Sequence, residues 1–102
     1  MCVVTRRWYR YNGSAGGQHN QLNYSFVNQF PNDCLATACN ICAIKGIYSE
    51  NCGGGTVTYG TNPKALVSDP QLDSYITDAL ACCCAQPSGP GQMRYVYVKT
   101  FV

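Results

Sequence analysis

The feature that most constrains this chain is its cysteine content. Eight cysteines occur in 102 residues. At that density a short chain either cross-links itself with disulfides or binds a metal through thiolates. The choice between these chemistries decides the compartment in which the protein works and most of what it can do. The eight are Cys2, Cys34, Cys39, Cys42, Cys52, Cys82, Cys83 and Cys84.

The length of the chain predicts a single domain over residues 1–102. A domain of this size buries about two thirds of the surface that its unfolded chain exposes. The hydrophobic core of such a domain can therefore hold the fold by itself, but with little excess stability. Disulfides, at about 2–4 kcal/mol each when unstrained, would add useful stability.

The order of secondary structure follows from alternating side chains and from turn residues. The residues 51–55 (NCGGG) predict a turn, and Asn12-Gly13 is a strong hairpin signal. Between the turns, alternation predicts strands over 3–11, 22–30, 43–48, 56–59 and 94–102. Residues 34–42 read as a compact segment with one irregular helical turn over 35–38.

One helix is predicted from Pro70 to Cys83. Ser68 with Gln71 fits a capping box, and Asp69 before Pro70 fits an N-cap followed by proline. Its apolar face carries Leu72, Ile76, Ala79, Leu80 and Cys83 at helical spacing. The sequence thus predicts an α+β fold: a small, mostly antiparallel sheet with one helix packed on it, stabilised by disulfides.

The cysteine spacing leaves three chemistries open. Cys34, Cys39 and Cys42 have the C-x4-C-x2-C spacing of a plant-type iron–sulfur loop, but no later cysteine lies at the expected distance. Cys39 and Cys42 also form one C-x2-C zinc half-site, which Cys52 or 82–84 could complete. A zinc module usually has two such half-sites, so we favour disulfides and expect no metal or cofactor.

The run 82–84 (CCC) is unusual, because consecutive helical side chains point about 100° apart. These cysteines cannot share one tetrahedral metal without unwinding the helix. In an oxidising setting we expect them to bond to different partners, such as the 34–52 region, Cys2 or a neighbouring molecule. Sequence alone cannot rank the pairings.

The two terminal strands interleave cations and aromatic rings, a composition typical of interaction hot spots and of cation–π contacts. Similar runs stack on single-stranded nucleic acid, but the formal net charge is only +2. We therefore predict association with another copy or another protein and no nucleic acid; no small-molecule ligand is specified. The interface candidates are Arg6, Arg7, Trp8, Tyr9, Arg10, Tyr11, Tyr95 and Tyr97.

No catalytic constellation is evident. A cysteine nucleophile needs a histidine base, and His19, the sole histidine, lies in a polar loop far from the cysteines in sequence. Asp69 and Asp73 are explained by the positive end of the helix dipole. We predict a protein that is not an enzyme.

The chain has no stretch of about twenty apolar residues, so no transmembrane helix is expected. Met1 is followed at once by Cys2 and a strand-like run, with no signal peptide. Either the protein is cytosolic and reduced, or the sequence is a mature chain whose targeting segment was removed. The cysteine density favours the second reading, and thus a secreted or cell-surface protein.

Three segments carry a resemblance to a known group. They are 42–48 (CAIKGIY), 72–80 (LDSYITDAL) and 95–99 (YVYVK). Together they resemble small secreted bacterial proteins of unassigned function. The resemblance implies export, and it assigns no activity and no functional residue.

These observations favour an exported, disulfide-stabilised structural or interaction protein, such as the self-assembling subunit of an extracellular filament or surface layer. Exposed sheet edges would permit strand addition between copies. One alternative is a cysteine-ligated zinc or iron–sulfur module. A second alternative is a secreted inhibitor or toxin-like binder that displays the glycine-rich loops.

Overall fold

The computed structural model describes residues 2–12, 16–31, 34 and 39–99. Over these residues five strands form one antiparallel sheet, and one α-helix packs on it, so the predicted disulfide-stabilised α+β fold is confirmed. Two short 3₁₀ turns occupy Gln21–Asn23 and Leu66–Ser68. The elements are β1 (Val3–Tyr11), β2 (Tyr24–Phe26), β3 (Ile41–Asn51), β4 (Thr56–Thr58), α1 (Pro70–Cys82) and β5 (Val96–Val98).

The sheet has the strand order β2-β1-β3-β4, and β5 pairs with the beginning of β3. The long central pair runs from Val3 opposite Asn51 to Arg10 opposite Ala43, with one shift in register in the first half of β1. At one end of the sheet β1, β3 and β4 lie side by side, because Asn51 is opposite both Val3 and Thr56. At the other end β2 and β5 flank the same central pair.

The core lies between α1 and one face of the sheet. Leu72, Ile76 and Ala79 of the helix are fully buried, and Leu80 packs against them, as the helical spacing predicts. The sheet and the flanking turns complete the cluster with Tyr9, Tyr11, Tyr24, Ile41, Ile44, Leu66 and Val96.

Gly46 explains how a loop reaches the middle of β3. A Cβ at this position would lie 2.7 Å from Pro63 Cβ and 3.3 Å from Tyr9 Cδ1. No other residue fits there without displacing these neighbours. The glycine therefore lets the Pro63 loop lie directly on the strand, where Lys64 N donates to Ile47 O at 3.0 Å.

Three strands are shorter than predicted, β4 by a single residue, and one is longer. β2 starts only at Tyr24 because Asn20 accepts a hydrogen bond from Leu22 N at 3.0 Å and stabilises a 3₁₀ turn instead. β3 extends over 41–51 rather than 43–48, because β1 pairs along almost all of it. β5 covers three residues, and Arg94 binds the carbonyls of Pro87 and Gly89 instead of joining it.

Several predicted features lie outside the described residues. They are Gly13 of the hairpin turn, the helical turn over 35–38, and the last three residues of the final predicted strand, 100–102.

The helix begins as predicted but without the predicted caps. Asp69 makes no side-chain cap bond, and the capping box is not formed: Gln71 Nε2 donates to Tyr75 Oη at 3.3 Å instead. At the other end Cys83 adopts the left-handed conformation, with φ 56°. Its N–H donates to Ala79 O, which ends the helix one residue earlier than predicted.

Four disulfides consume all eight cysteines. Cys2–Cys52 continues the β1–β3 ladder one pair beyond Val3 and Asn51, with a Cα–Cα distance of 4.0 Å. Cys39–Cys83 ties the segment before β3 to the end of α1. The other two bridges are Cys34–Cys42 and Cys82–Cys84. Cys83 bonds into the 34–52 region as expected. Cys82 and Cys84 instead bond to each other, which corrects the expectation of three different partners. The helix ends at the left-handed Cys83 between them, so the helical spacing assumed for the run does not apply.

Candidate functional site

An aromatic cluster covers the outer face of the sheet, which is the face opposite Tyr9, Ile44 and Val96. Its members are Trp8, Phe30 and Tyr97. Their ring centroids lie 4.9 Å apart for Trp8–Phe30, 4.7 Å for Phe30–Tyr97 and 5.5 Å for Trp8–Tyr97. Phe30 is exposed and the other two are half-buried. Rings that are packed together and partly accessible resemble the anchors of protein interfaces.

Lys45 lies beside this cluster, opposite Trp8 in the β1–β3 register. Its Nζ is 5.5 Å from the Trp8 ring centroid and 3.3 Å from Met93 Sδ. No carboxylate among the described residues lies within ion-pair distance of it. The ammonium is therefore available to an acidic group of a partner.

Arg6 is held inside the chain. Its guanidinium donates to both carboxylate oxygens of Asp69, at 3.1 and 3.2 Å, and to Lys45 O at 3.0 Å. It also stacks over Tyr95, 4.9 Å from the ring centroid. Asp69 is only 5% exposed, so this carboxylate is the buried partner that the arginine neutralises.

Next to these residues the surface forms a shallow cleft of about 380 Å³. A second cleft of about 240 Å³ adjoins it, and the two share Met93 and Tyr95. We call them together the Tyr95 cleft. The first part is lined by Val4, Arg6, Lys45, Met93 and Tyr95, and the second adds Gln71, Tyr75, Pro87 and Gln92.

The interface candidates do not form one continuous surface. Arg6 contacts Tyr95, and Trp8 contacts Tyr97, so four of the candidates lie together. Arg7 is exposed and lies 5.9 Å from the Tyr48 ring centroid. Arg10 is half-buried next to β2.

Tyr9 and Tyr11 correct the prediction, because both are completely buried and cannot contribute to a docking surface of the folded chain. Strand alternation places them in the core. Tyr9 Oη donates to Gly60 O at 3.3 Å. Burial raises the pKa of Tyr9 to about 12, and burial also raises the pKa values of Tyr11 and Tyr24.

Sequence reasoning missed three members of this surface. Lys45 follows the buried Ile44 and so alternates to the outer face, which the strand pattern could have revealed. Phe30 ends the predicted strand 22–30 but lies in a loop after β2, and Met93 also lies outside regular elements.

His19 has specific partners that the sequence did not suggest. Its Nδ1 is 2.6 Å from Asp73 Oδ1, and its Nε2 is 3.4 Å from Thr77 Oγ1. Asp73 and Thr77 are one turn apart on α1, so the loop histidine is attached to the helix. The Thr77 hydroxyl already donates to Asp73 O at 3.3 Å. Its proton is thus engaged away from the imidazole, unlike that of a nucleophile paired with its base.

The open end of the sheet consists of 3–5 in β1, 49–51 in β3 and 56–58 in β4. Among the described residues no strand covers the outer edge of β1 here, since β2 pairs only with 9–11. The outer edge of β4 is likewise uncovered in the described part of the chain. Both edges are β-branched and uncharged, with sequences Val-Val-Thr and Thr-Val-Thr.

The middle strand of this end carries one acid, and it is neutralised. Glu50 accepts a hydrogen bond from Tyr59 Oη at 2.6 Å and pairs with Lys64 Nζ at 3.0 Å. The Tyr59 hydroxyl and then the Lys64 ammonium lower the pKa of this carboxyl. The open end therefore carries no net charge from this group.

The alternative metal sites have lost their ligands. Zinc and iron are bound by cysteine thiolates, and a cysteine in a disulfide has no thiolate to offer. All eight cysteines are in disulfides. No group of three or more acidic, histidine or cysteine side chains in the described ranges is placed to hold a metal ion.

No helix in the described part of the chain is long and apolar enough to cross a membrane. Four disulfides fit an oxidising compartment. No protein-family model, curated protein or solved structure matches this chain.

Proposed function

We propose that this chain is an exported structural protein that associates with copies of itself by strand addition at the open end of its sheet. The observation that supports the proposal is a pair of edges that no described strand covers, on opposite sides of one three-stranded section. Natural sheets usually protect such edges with lysine, proline or a covering loop. Neither edge triplet carries a lysine or a proline. Both expose apolar side chains instead, since Val3 is 69% exposed and Val57 is 56% exposed.

The two edges suit a repeating assembly. They lie in register, because Val4, Glu50 and Val57 are aligned across the three strands. A contact between the β1 edge of one copy and the β4 edge of the next is head-to-tail, and such contacts build open filaments or closed rings. Val4 also lines the Tyr95 cleft, so a neighbouring copy would lie against Lys45 and Met93 as well.

In this proposal the protein acts by association, and His19 has no catalytic role. The only histidine is bound to α1, and its threonine neighbour has its hydroxyl proton engaged elsewhere. The same cleft also supports a second candidate function, the binding of a different protein. The unpaired Lys45 ammonium beside the aromatic cluster would then contact an acidic segment of that partner.

The first test blocks one edge with charge. Val57→Lys places an ammonium on the outer strand, where addition of a second strand would have to desolvate it. We expect the wild type to increase in mass with concentration in sedimentation experiments and Val57→Lys to remain monomeric. Val67→Lys is the matched control, because Val67 is 82% exposed and lies in a 3₁₀ turn away from both edges.

A wild type that stays monomeric at every concentration would contradict self-association and favour the second candidate. Equal association of the two lysine variants and the wild type would show that β4 is not the contact.

A further inference from the structure

The end of α1 carries a disulfide that contributes little to holding the fold. Cys82 and Cys84 are separated by only 2 positions, whereas Cys2–Cys52 and Cys39–Cys83 are separated by 50 and 44. The stabilisation expected from a disulfide grows with the length of the loop that it closes. The Cys82–Cys84 bridge is thus the least needed for folding.

This bridge is also accessible. Cys82 is exposed at the last position of α1, while Cys84 is half-buried. An attacking thiolate approaches one sulfur of the disulfide along the S–S axis, and the other sulfur leaves. Accessibility decides which of the two sulfurs is attacked. Cys82, the more exposed residue of the pair, is therefore the point of attack, and Cys84 is the leaving thiolate.

A fixed hydrogen-bond donor lies against both sulfurs. Gln86 Nε2 is 3.2 Å from Cys82 Sγ and 3.3 Å from Cys84 Sγ. The backbone of Gln86 is held by Val96, with N–H to carbonyl bonds of 3.0 Å in both directions. A donor held in place strengthens its bond when the acceptor becomes charged. Gln86 can therefore stabilise the thiolate that leaves.

The neighbouring bridge keeps the site in position when Cys82–Cys84 opens. Cys83 lies between the two cysteines, and it is bonded to Cys39 before β3. Its left-handed backbone ends the helix. Reduction of Cys82–Cys84 thus leaves the end of α1 covalently attached to the rest of the fold, so the bridge can open and re-form.

We propose that Cys82–Cys84 is a thiol–disulfide exchange site that oxidises dithiols in partner proteins. In the first step a partner thiolate bonds to Cys82 Sγ, the Cys82–Cys84 bond breaks, and its electron pair leaves on Cys84 Sγ. A second partner thiolate then attacks the partner sulfur of this mixed disulfide and releases Cys82 as a thiolate. The partner gains a disulfide, and the two released thiolates take up the two protons that the partner thiols lost.

The first experiment follows reduction of the native wild-type chain by a small dithiol. Samples are quenched with acid, alkylated, and mapped by mass spectrometry of their peptides. We expect Cys82 and Cys84 to be alkylated at least about tenfold faster than any other pair. Simultaneous reduction of all four bridges, or later reduction of this one, would overturn the proposal.

The second experiment measures the stoichiometric oxidation of a synthetic peptide that contains two cysteines. We expect the wild type to form one peptide disulfide per chain. The variant Cys82→Ser with Cys84→Ser should lose this activity, while Cys2→Ser with Cys52→Ser keeps it. Peptide oxidation that survives the loss of Cys82 and Cys84, or no oxidation by the wild type, would overturn the assignment.

Gln86 is tested as a positioning residue. Gln86→Leu should slow exchange about tenfold and leave the unfolding temperature of the oxidised chain unchanged. Gln29→Leu, at an exposed loop position, is the matched control and should change neither quantity. An unchanged exchange rate in Gln86→Leu would remove Gln86 from the mechanism.

Discussion

At the scale of single residues, the pair Arg6 and Asp69 shows how a candidate for partner binding can instead serve the fold. Asp69 has the sequence position of a helix cap, but its two carboxylate oxygens accept from Arg6. The pair joins β1 to the start of α1, 63 residues apart in sequence. The buried Asp69 carboxylate is stabilised by the Arg6 guanidinium, and it would be an uncompensated buried charge without it.

Removal of Arg6 tests this interpretation. Arg6→Met keeps much of the side-chain volume but leaves the Asp69 carboxylate buried without its cation. We expect the free energy of unfolding to fall by about 3–5 kcal/mol, as for other broken buried pairs. Urea unfolding measures the change.

The exposed Arg7 provides the control, because Arg7→Met should cost less than about 0.5 kcal/mol. The double variant Arg6→Met with Asp69→Leu should recover most of the loss, since no uncompensated charge remains. Equal losses in the single and double variants would show that packing, not charge, explains the effect of Arg6→Met.

At the scale of elements, the disulfides differ in whether they join parts of the fold that the sheet already connects. The β1–β3 ladder is continued by Cys2–Cys52, whereas α1 is attached to the segment before β3 by Cys39–Cys83. Hydrogen bonds already hold the ladder together over its whole length. The Cys39–Cys83 bridge provides a connection to the helix that no strand pairing supplies.

We expect the bridges to differ in their contribution to stability. Cys39→Ala with Cys83→Ala removes a bridge between residues with a sequence separation of 44. Loop-closure entropy then predicts that the free energy of unfolding falls by about 4 kcal/mol. Cys82→Ala with Cys84→Ala should cost about 1.6 kcal/mol by the same account. Denaturant unfolding of the two double variants compares them, and equal losses would contradict the ranking.

The elements also show what could be read from the sequence. The span of β1, the position of α1 and its apolar face follow from periodicity, and each is found as predicted. The length of β3 and the brevity of β5 depend on long-range pairing, which a local pattern does not contain. The same holds for the cysteine pairings and for the aromatic cluster, in which Phe30 meets Trp8 and Tyr97 from a loop.

At the scale of the whole molecule, three buried tyrosines make folding sensitive to alkali. The pKa of Tyr9 is raised to about 12 by burial, and those of Tyr11 and Tyr24 are also raised. In the unfolded chain these phenols lose their protons near pH 10. Between these values the unfolded chain binds fewer protons than the native one, so stability falls as the pH rises.

We therefore expect the free energy of unfolding to be independent of the tyrosines below about pH 10 and to decrease from there to about pH 12. Tyr9 alone should account for a loss of about 2–3 kcal/mol over this range. Tyr9→Phe should reduce the slope of the free energy of unfolding against pH. Denaturant unfolding at each pH measures that slope, and tyrosinate absorbance reports the ionisation of the tyrosines. An identical slope in Tyr9→Phe would contradict the assignment to Tyr9.

The Cys2–Cys52 bridge has a mechanical consequence. If copies join through the edges of the open end, a pulling force passes from β1 through β3 to β4. The first of these junctions contains a disulfide. The second contains the short pairing of Thr56–Thr58 with residues 49–51 and the contacts of Tyr59 and Lys64 with Glu50, all of them non-covalent. Under load the subunit would yield between β3 and β4, and the longer central pair would remain intact.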